Sequence, residues 1–115
     1  MSEQLIEVVD NAGIVRLTIN RPKALNALNS AVLNELERVL AELEARDDLR
    51  AVLVTGAGEK SFVAGADIAE MRTKTPEEAR AFARQALATL KRLETLPVPT
   101  VALVNGFCLG GGCEL

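Results

Sequence analysis

Apolar positions alternate or cluster in a way that divides the chain into elements. Ile6-Glu7-Val8-Val9 and Ile14-Val15-Arg16-Leu17-Thr18-Ile19 are rich in β-branched residues. They flank Asp10-Asn11-Ala12-Gly13, whose Asp, Asn and Gly favour a turn, so a β-hairpin is predicted. Asn20-Arg21-Pro22-Lys23 then interrupts regular structure, because proline disfavours helix in the residue before it and has no N–H to donate. From Asn29 or Ser30 the period changes. Val32, Leu33, Leu36, Val39, Leu40 and Leu43 recur at helical spacing, with Glu35, Arg38, Glu42 and Arg46 on the opposite face.

Ala51-Val52-Leu53-Val54-Thr55 is a short continuous apolar run that ends in glycines, as expected of a parallel strand covered on both faces. Thr75-Pro76-Glu77-Glu78 has the residues of a helix start. Thr75 is the cap, Pro76 occupies the first helical position, and Glu78 closes a capping box. Ala79, Phe82, Ala83, Ala86, Leu87, Leu90 and Leu93 make its apolar stripe. Leu96-Pro97-Val98-Pro99 stops that helix, and Thr100-Val101-Ala102-Leu103-Val104 is expected to be another buried strand. The order β-β-α-β-α-β is an α/β layer pattern, without internal repeats or a linker.

Composition narrows the function classes. The chain has 115 residues and a net charge of −3, with no basic block and no tryptophan or tyrosine to stack on bases, so nucleic acid is disfavoured. Its apolar runs are too short to span a bilayer, and the N-terminus lacks the basic and apolar regions of a signal, so a cytoplasmic location is expected. Cys108 and Cys113 fit neither a redox pair nor a zinc site, and there is no histidine. Both cysteines read as small buried hydrophobes, and no metal is expected. Acid–base chemistry in this stretch must therefore use carboxylate, lysine, cysteine or water.

Two glycine-rich loops follow the apolar strands, at 56–67 and 105–114. Ligands of open α/β sheets bind outside the carboxyl ends of strands, where small residues let them approach backbone N–H groups. Gly58-Glu59-Lys60-Ser61 is not a phosphate-binding P-loop, because Glu59 stands where glycine is required. Read alone, the glycines equally fit tight turns, and Glu114 equally fits an exposed first-turn glutamate favoured by the helix dipole.

Three segments together carry a resemblance: Asn20-Arg21-Pro22-Lys23-Ala24-Leu25-Asn26-Ala27-Leu28-Asn29, Phe62-Val63-Ala64-Gly65-Ala66-Asp67-Ile68, and the stretch from Pro99 to Leu115 that contains Gly110-Gly111-Gly112-Cys113-Glu114. In this order they resemble the enoyl-CoA hydratase/isomerase (crotonase) superfamily. The resemblance covers essentially the whole chain but less than half of a family domain, so residues 1–115 are expected to be a partial domain, the first turns of a crotonase-type ββα spiral.

The resemblance implies an enoyl-CoA hydratase that adds water syn across a trans-2-enoyl-CoA to give a 3-hydroxyacyl-CoA, as in fatty-acid β-oxidation. It assigns the oxyanion-hole donors to the backbone N–H groups of Ala66 and Gly111, and the general acid/base to Glu114. Ala24, Ala64, Ala66, Asp67, Ile68, Ala69 and Gly111 match acyl-CoA-binding positions, and Lys23 and Lys60 are weaker candidates for the phosphates. No cofactor is implied, since the coenzyme A thioester is the substrate. The resemblance further implies a homotrimer or hexamer in the intact protein, and a second catalytic glutamate beyond Leu115. The alternatives are another acyl-CoA reaction of the family, such as isomerisation or decarboxylation, or an inactive acyl-CoA-binding fragment.

Overall fold

The computed structural model describes residues 4–110. Strands β1 (Ile6–Asn11) and β2 (Ile14–Ile19) pair antiparallel, with Ile6 opposite Ile19 and Asn11 opposite Ile14. Only Ala12 and Gly13 join them, at φ 54° and 89°. Two successive positive φ values give the turn whose twist matches that of the strands, and Gly13 donates its N–H to Asp10 Oδ1 at 3.1 Å. The predicted hairpin is present, and its turn is tighter than the four residues read from the sequence.

Helix α1 (Ser30–Glu44) starts at Asn29, whose side chain accepts the Val32 N–H at 2.8 Å. All six residues of its predicted stripe are buried. They share one core with Val15, Leu17 and Ile19 of β2 and with Val52 and Val54 of β3 (Ala51–Gly56). Burying each of these side chains contributes roughly 1.5–3 kcal/mol. As the crossover from β2, α1 returns the chain so that β3 lies parallel to β2, with Ile14 opposite Ala51 and Ile19 opposite Gly56.

The order of the main sheet is β1-β2-β3-β5, where β5 (Thr100–Ala102) runs parallel to β3. Three sequence expectations need correction. Strand β3 is buried on one face only, at Val52, Val54 and Gly56, while Ala51, Leu53 and Thr55 are half-buried. Strand β5 is three residues long and exposed, because it forms the sheet edge and no described element covers it. Cys108 is half-buried rather than buried.

Helix α3 (Pro76–Glu94) has the predicted capping box, closed by the Thr75 N–H on Glu78 Oε1 at 2.9 Å and the Glu78 N–H on Thr75 Oγ1 at 3.2 Å. It packs on α1, where Arg92 pairs with Glu44 at 3.0 Å. Its stripe is the fourth correction. Phe82, Thr89 and Leu93 are buried, whereas Leu87 is 63% exposed and Ala83 is also exposed. The helix axis therefore turns part of the apolar face away from the core.

Three short elements lie where the sequence predicts no strand or helix: β4 (Ser61–Val63) and β6 (Phe107–Cys108) inside the two glycine-rich loops, and α2 (Ile68–Met71) just after the first. Strands β4 and β6 pair parallel in a second sheet. Their lengths are at or below the limit at which an apolar pattern can be recognised.

Candidate active site

The two glycine-rich loops are joined backbone to backbone. Phe107 donates its N–H to the Lys60 carbonyl at 3.0 Å, and Leu109 donates to Val63 at 3.2 Å. Two glycines make this approach possible. A Cβ on Gly106 would lie 2.3 Å from the Lys60 carbonyl oxygen, and one on Gly56 would lie 2.1 Å from that of Phe62. For Gly56 and Gly106 the requirement is close packing of the main chain rather than room for a ligand. Farther along, Gly110 reaches Gly65, with 3.9 Å between an added Cβ and the Gly65 Cα.

Two asparagines hold the first loop. Asn26, fully buried, donates from Nδ2 to the carbonyls of Ala57 (3.0 Å) and Ser61 (2.9 Å) and accepts the Arg21 N–H at 2.9 Å. Asn105 donates from Nδ2 to the carbonyls of Gly56 and Gly58, both at 2.8 Å. The Ser61 hydroxyl donates to the Leu25 carbonyl at 2.6 Å. Sequence reading assigned none of these roles. A short polar residue between apolar neighbours in a loop, as in Leu25-Asn26-Ala27 and Val104-Asn105-Gly106, was the available signal.

A second seam places Ala66. The Ala64 N–H donates to Leu25 (3.2 Å), Leu28 donates to Gly65 (2.8 Å), and Asp67 donates to Leu28 (2.8 Å). Leu28 and Ala66 thereby form a parallel bridge. In the planar trans peptide between Gly65 and Ala66, C=O and N–H point in opposite directions. Because Leu28 holds the Gly65 carbonyl, the Ala66 N–H points away from Leu28, and among the described residues it has no acceptor. Gly65 sits at φ 101°, a conformation open to glycine.

Ala64, Ala66, Asp67, Ile68 and Ala69 therefore form one continuous segment beside residues 25–28. Ala24 lies at the end of a 3-10 turn (Pro22–Ala24) and lines a cavity of about 220 Å³ with Arg21, Lys23 and neighbours. Lys23 and Lys60 face a shared cleft of about 410 Å³, which Glu59 also lines. Ile68, 73% exposed, and the exposed Ala69 start α2. Asp67 has its carboxylate committed within the fold. Its Oδ1 accepts the N–H groups of Ala69 (3.0 Å) and Glu70 (3.3 Å), and its Oδ2 meets the Arg21 guanidinium at 3.0 Å. Burial pushes this carboxyl's pKa up, but Arg21 and the two N–H groups outweigh burial and hold it below the ordinary aspartate value. Gly111 and Glu114 lie outside the described residues.

An apolar cavity of about 230 Å³ adjoins Ala66, lined by Leu28 and by Phe82, Ala83, Ala86, Leu87 and Leu90 of α3. Exposed Leu87 and Ala83 thus face a cavity rather than plain surface. Among the described residues no cluster of three or more His, Cys, Asp or Glu could hold a metal, and no helix is long and apolar enough to cross a membrane.

The sequence profile of the enoyl-CoA hydratase/isomerase family matches residues 9–115. The chain belongs to that family. A short-chain-enoyl-CoA hydratase of Clostridium acetobutylicum is 56% identical over 99 residues, which are 86% of this chain and 38% of that protein. A crotonyl-CoA hydratase of Syntrophomonas wolfei is 46% identical over the same length, with the same coverage. The crystal structure of an enoyl-CoA hydratase from Bacillus anthracis superposes with a TM-score of 0.94 at 38% identity, covering 96% of this chain and 43% of that one. The chain thus spans less than half the length of these enoyl-CoA hydratase/isomerase relatives, and its α/β fold is part of the crotonase fold.

Proposed function

We propose that these residues form the thioester-binding part of an enoyl-CoA hydratase, which adds water syn to a trans-2-enoyl-CoA. The observation that carries this reading is the Gly65–Ala66 peptide: its carbonyl is held by Leu28 and its N–H is left without an acceptor among the described residues. The approach of Gly110 to Gly65 supports Gly111 as the second donor, because Gly110 immediately precedes it and Gly65 immediately precedes Ala66.

Attack of water on the enoyl-CoA places negative charge on the thioester oxygen. Two fixed N–H groups can meet that charge without reorganising, each contributing roughly 3 kcal/mol. Glu114 serves as general acid/base, and the apolar cavity beside Ala66 suits an acyl chain. The reaction needs no cofactor beyond the coenzyme A carried by the substrate. The family resemblance supports a trimer or hexamer as the working form.

The test is Glu114→Gln in the protein encoded by the whole reading frame that contains these residues. Glutamine keeps the shape of glutamate but cannot exchange a proton at neutral pH. Hydration of crotonyl-CoA should fall at least about 100-fold in kcat while binding changes less than about tenfold. Near-normal turnover would remove Glu114 from the mechanism and favour another acyl-CoA reaction.

A further inference from the structure

The donor proposed above belongs to a peptide that begins at a glycine, and glycine is the residue least able to hold a peptide plane in place. The φ of 101° at Gly65 leaves that peptide free to rotate unless something else restrains it. Two hydrogen bonds to Leu28 restrain it from one side. A third connection joins the same two segments through side chains. Arg21 donates from one guanidinium nitrogen to the Ala27 carbonyl at 2.7 Å and from the other to Asp67 Oδ2 at 3.0 Å. Ala27 precedes Leu28 and Asp67 follows Ala66, so the guanidinium closes a ring around the donor peptide. The other Asp67 oxygen is bound by the first turn of α2, which fixes the far end of the ring.

This ion pair differs from the others among the described residues. Arg38 with Glu35 and Glu42, Arg46 with Asp10 and Asp48, and Arg92 with Glu44 have at least one partner more than a third exposed in each contact. Pairs of that kind contribute little. Arg21 and Asp67 have side chains 20% and 16% exposed, and they link positions 46 residues apart. Arginine's planar fork suits the task, because two nitrogens can hold two acceptors in a fixed relation. A lysine has a single nitrogen for both.

We propose that Arg21 and Asp67 are positioning residues that keep the Ala66 N–H aimed at the thioester oxygen, through the ring Ala27–Arg21–Asp67–Ala66–Leu28. The proposal rests on the reading of Ala66 as an oxyanion donor. It adds two side chains whose polar groups are engaged within the fold, Arg21 on Ala27 and Asp67, and Asp67 on Arg21 and the start of α2.

The experiment uses the protein from the whole reading frame and variants Arg21→Met, Asp67→Asn and the double variant. Asparagine keeps one oxygen for the cap of α2 and turns an NH2 toward the guanidinium, so it breaks the ion pair while sparing the helix start. Two quantities are read: steady-state kinetics with crotonyl-CoA, and the infrared C=O stretch of bound butyryl-CoA carrying 13C at the thioester carbonyl. Butyryl-CoA has no double bond to hydrate, so its band reports the donors alone.

The expected result is a wild-type band lowered on binding, with the lowering reduced in each single variant. For Arg21→Met, kcat should fall at least about tenfold with KM within about threefold, since misaiming a donor costs part of the 10²–10³ lost on removing it. The double variant should be no worse than Arg21→Met, because both changes break one link. Folded variants that keep the wild-type band and kcat overturn the proposal. If Arg21→Met fails to fold, Asp67→Asn decides on the same two readouts. A wild type that shifts no band removes the reading of Ala66 and the proposal with it. A wild type that shifts the band without hydrating crotonyl-CoA overturns the hydratase reading alone, and the band then judges the ring.

Discussion

Asn26 and Ser61, 35 residues apart in the chain, are joined in the interior by a 2.9 Å bond from the asparagine amide to the serine carbonyl. The same side chain serves Ala57 and Arg21, so three backbone groups depend on one residue. Asn26 also sits at φ 58°, which asparagine tolerates better than most residues. Asn26→Ala should therefore cost about 3 kcal/mol, mostly from leaving backbone groups without partners. Urea unfolding followed by circular dichroism measures it, and a loss under about 1 kcal/mol would mean that water replaces the amide.

Gly106→Ala and Gly58→Ala separate two reasons for glycine. At Gly106 the new Cβ meets the Lys60 carbonyl at 2.3 Å, so β4 and β6 must part, and a loss above about 2 kcal/mol is expected. At Gly58 the nearest atom is 3.9 Å away, and only the φ of 82° resists. That should cost about 1–2 kcal/mol. Unfolding midpoints in the order wild type, Gly58→Ala, Gly106→Ala bear this out; the reverse order of the variants contradicts it.

Thr89 is fully buried on α3, and its hydroxyl has no hydrogen-bond partner among the described residues. Thr89→Val replaces that hydroxyl with a methyl of similar shape and should stabilise the fold by about 1 kcal/mol, a thermal midpoint a few degrees higher. A lowered midpoint would show that the hydroxyl has an acceptor in solution.

Acid should weaken the Arg21–Asp67 link in a defined direction. The folded pKa of Asp67 lies below the 3.8 of an ordinary aspartate, so the fold prefers the ionised carboxylate. Its contribution is present above the unfolded value and is lost as pH falls through the folded one. Stability measured by urea midpoint should decline below about pH 4, and Asp67→Asn should show a shallower decline. Equal slopes for the two proteins would place the acid sensitivity elsewhere, for instance at Glu78, whose capping bonds also lower its pKa.

Periodicity carried α1 and the capping box carried α3, because Leu33, Leu36 and Leu40 or Thr75, Pro76 and Glu78 encode local geometry within a few residues. The hairpin was legible for the same reason. What escaped was set by contacts between distant segments. Strand β4 exists because Ser61 and Val63 meet Phe107 and Cys108, and no window around either stretch contains the other. The exposure of Leu87 likewise depends on where α3 lies relative to Leu28 and Ala66. At the site, the resemblance pointed to Ala66 by position. The role of Arg21 became visible only when Ala27 and Asp67 were found at the two ends of its guanidinium.

The parallel pairing of β4 with β6 also bears on the order in which the chain folds. Strands β1 and β2 close over a two-residue turn, so their contact costs little loop entropy and can form within microseconds. Pairing Ser61 with Phe107 must close a loop that contains all of α3, and it wins only a few bonds in return. The two loops that converge near Ala66 are thus expected to zip last and open first. Amide hydrogens of Phe107 and Leu109 should then exchange with solvent through local opening, well before those of Leu17 and Val54 at the centre of the main sheet.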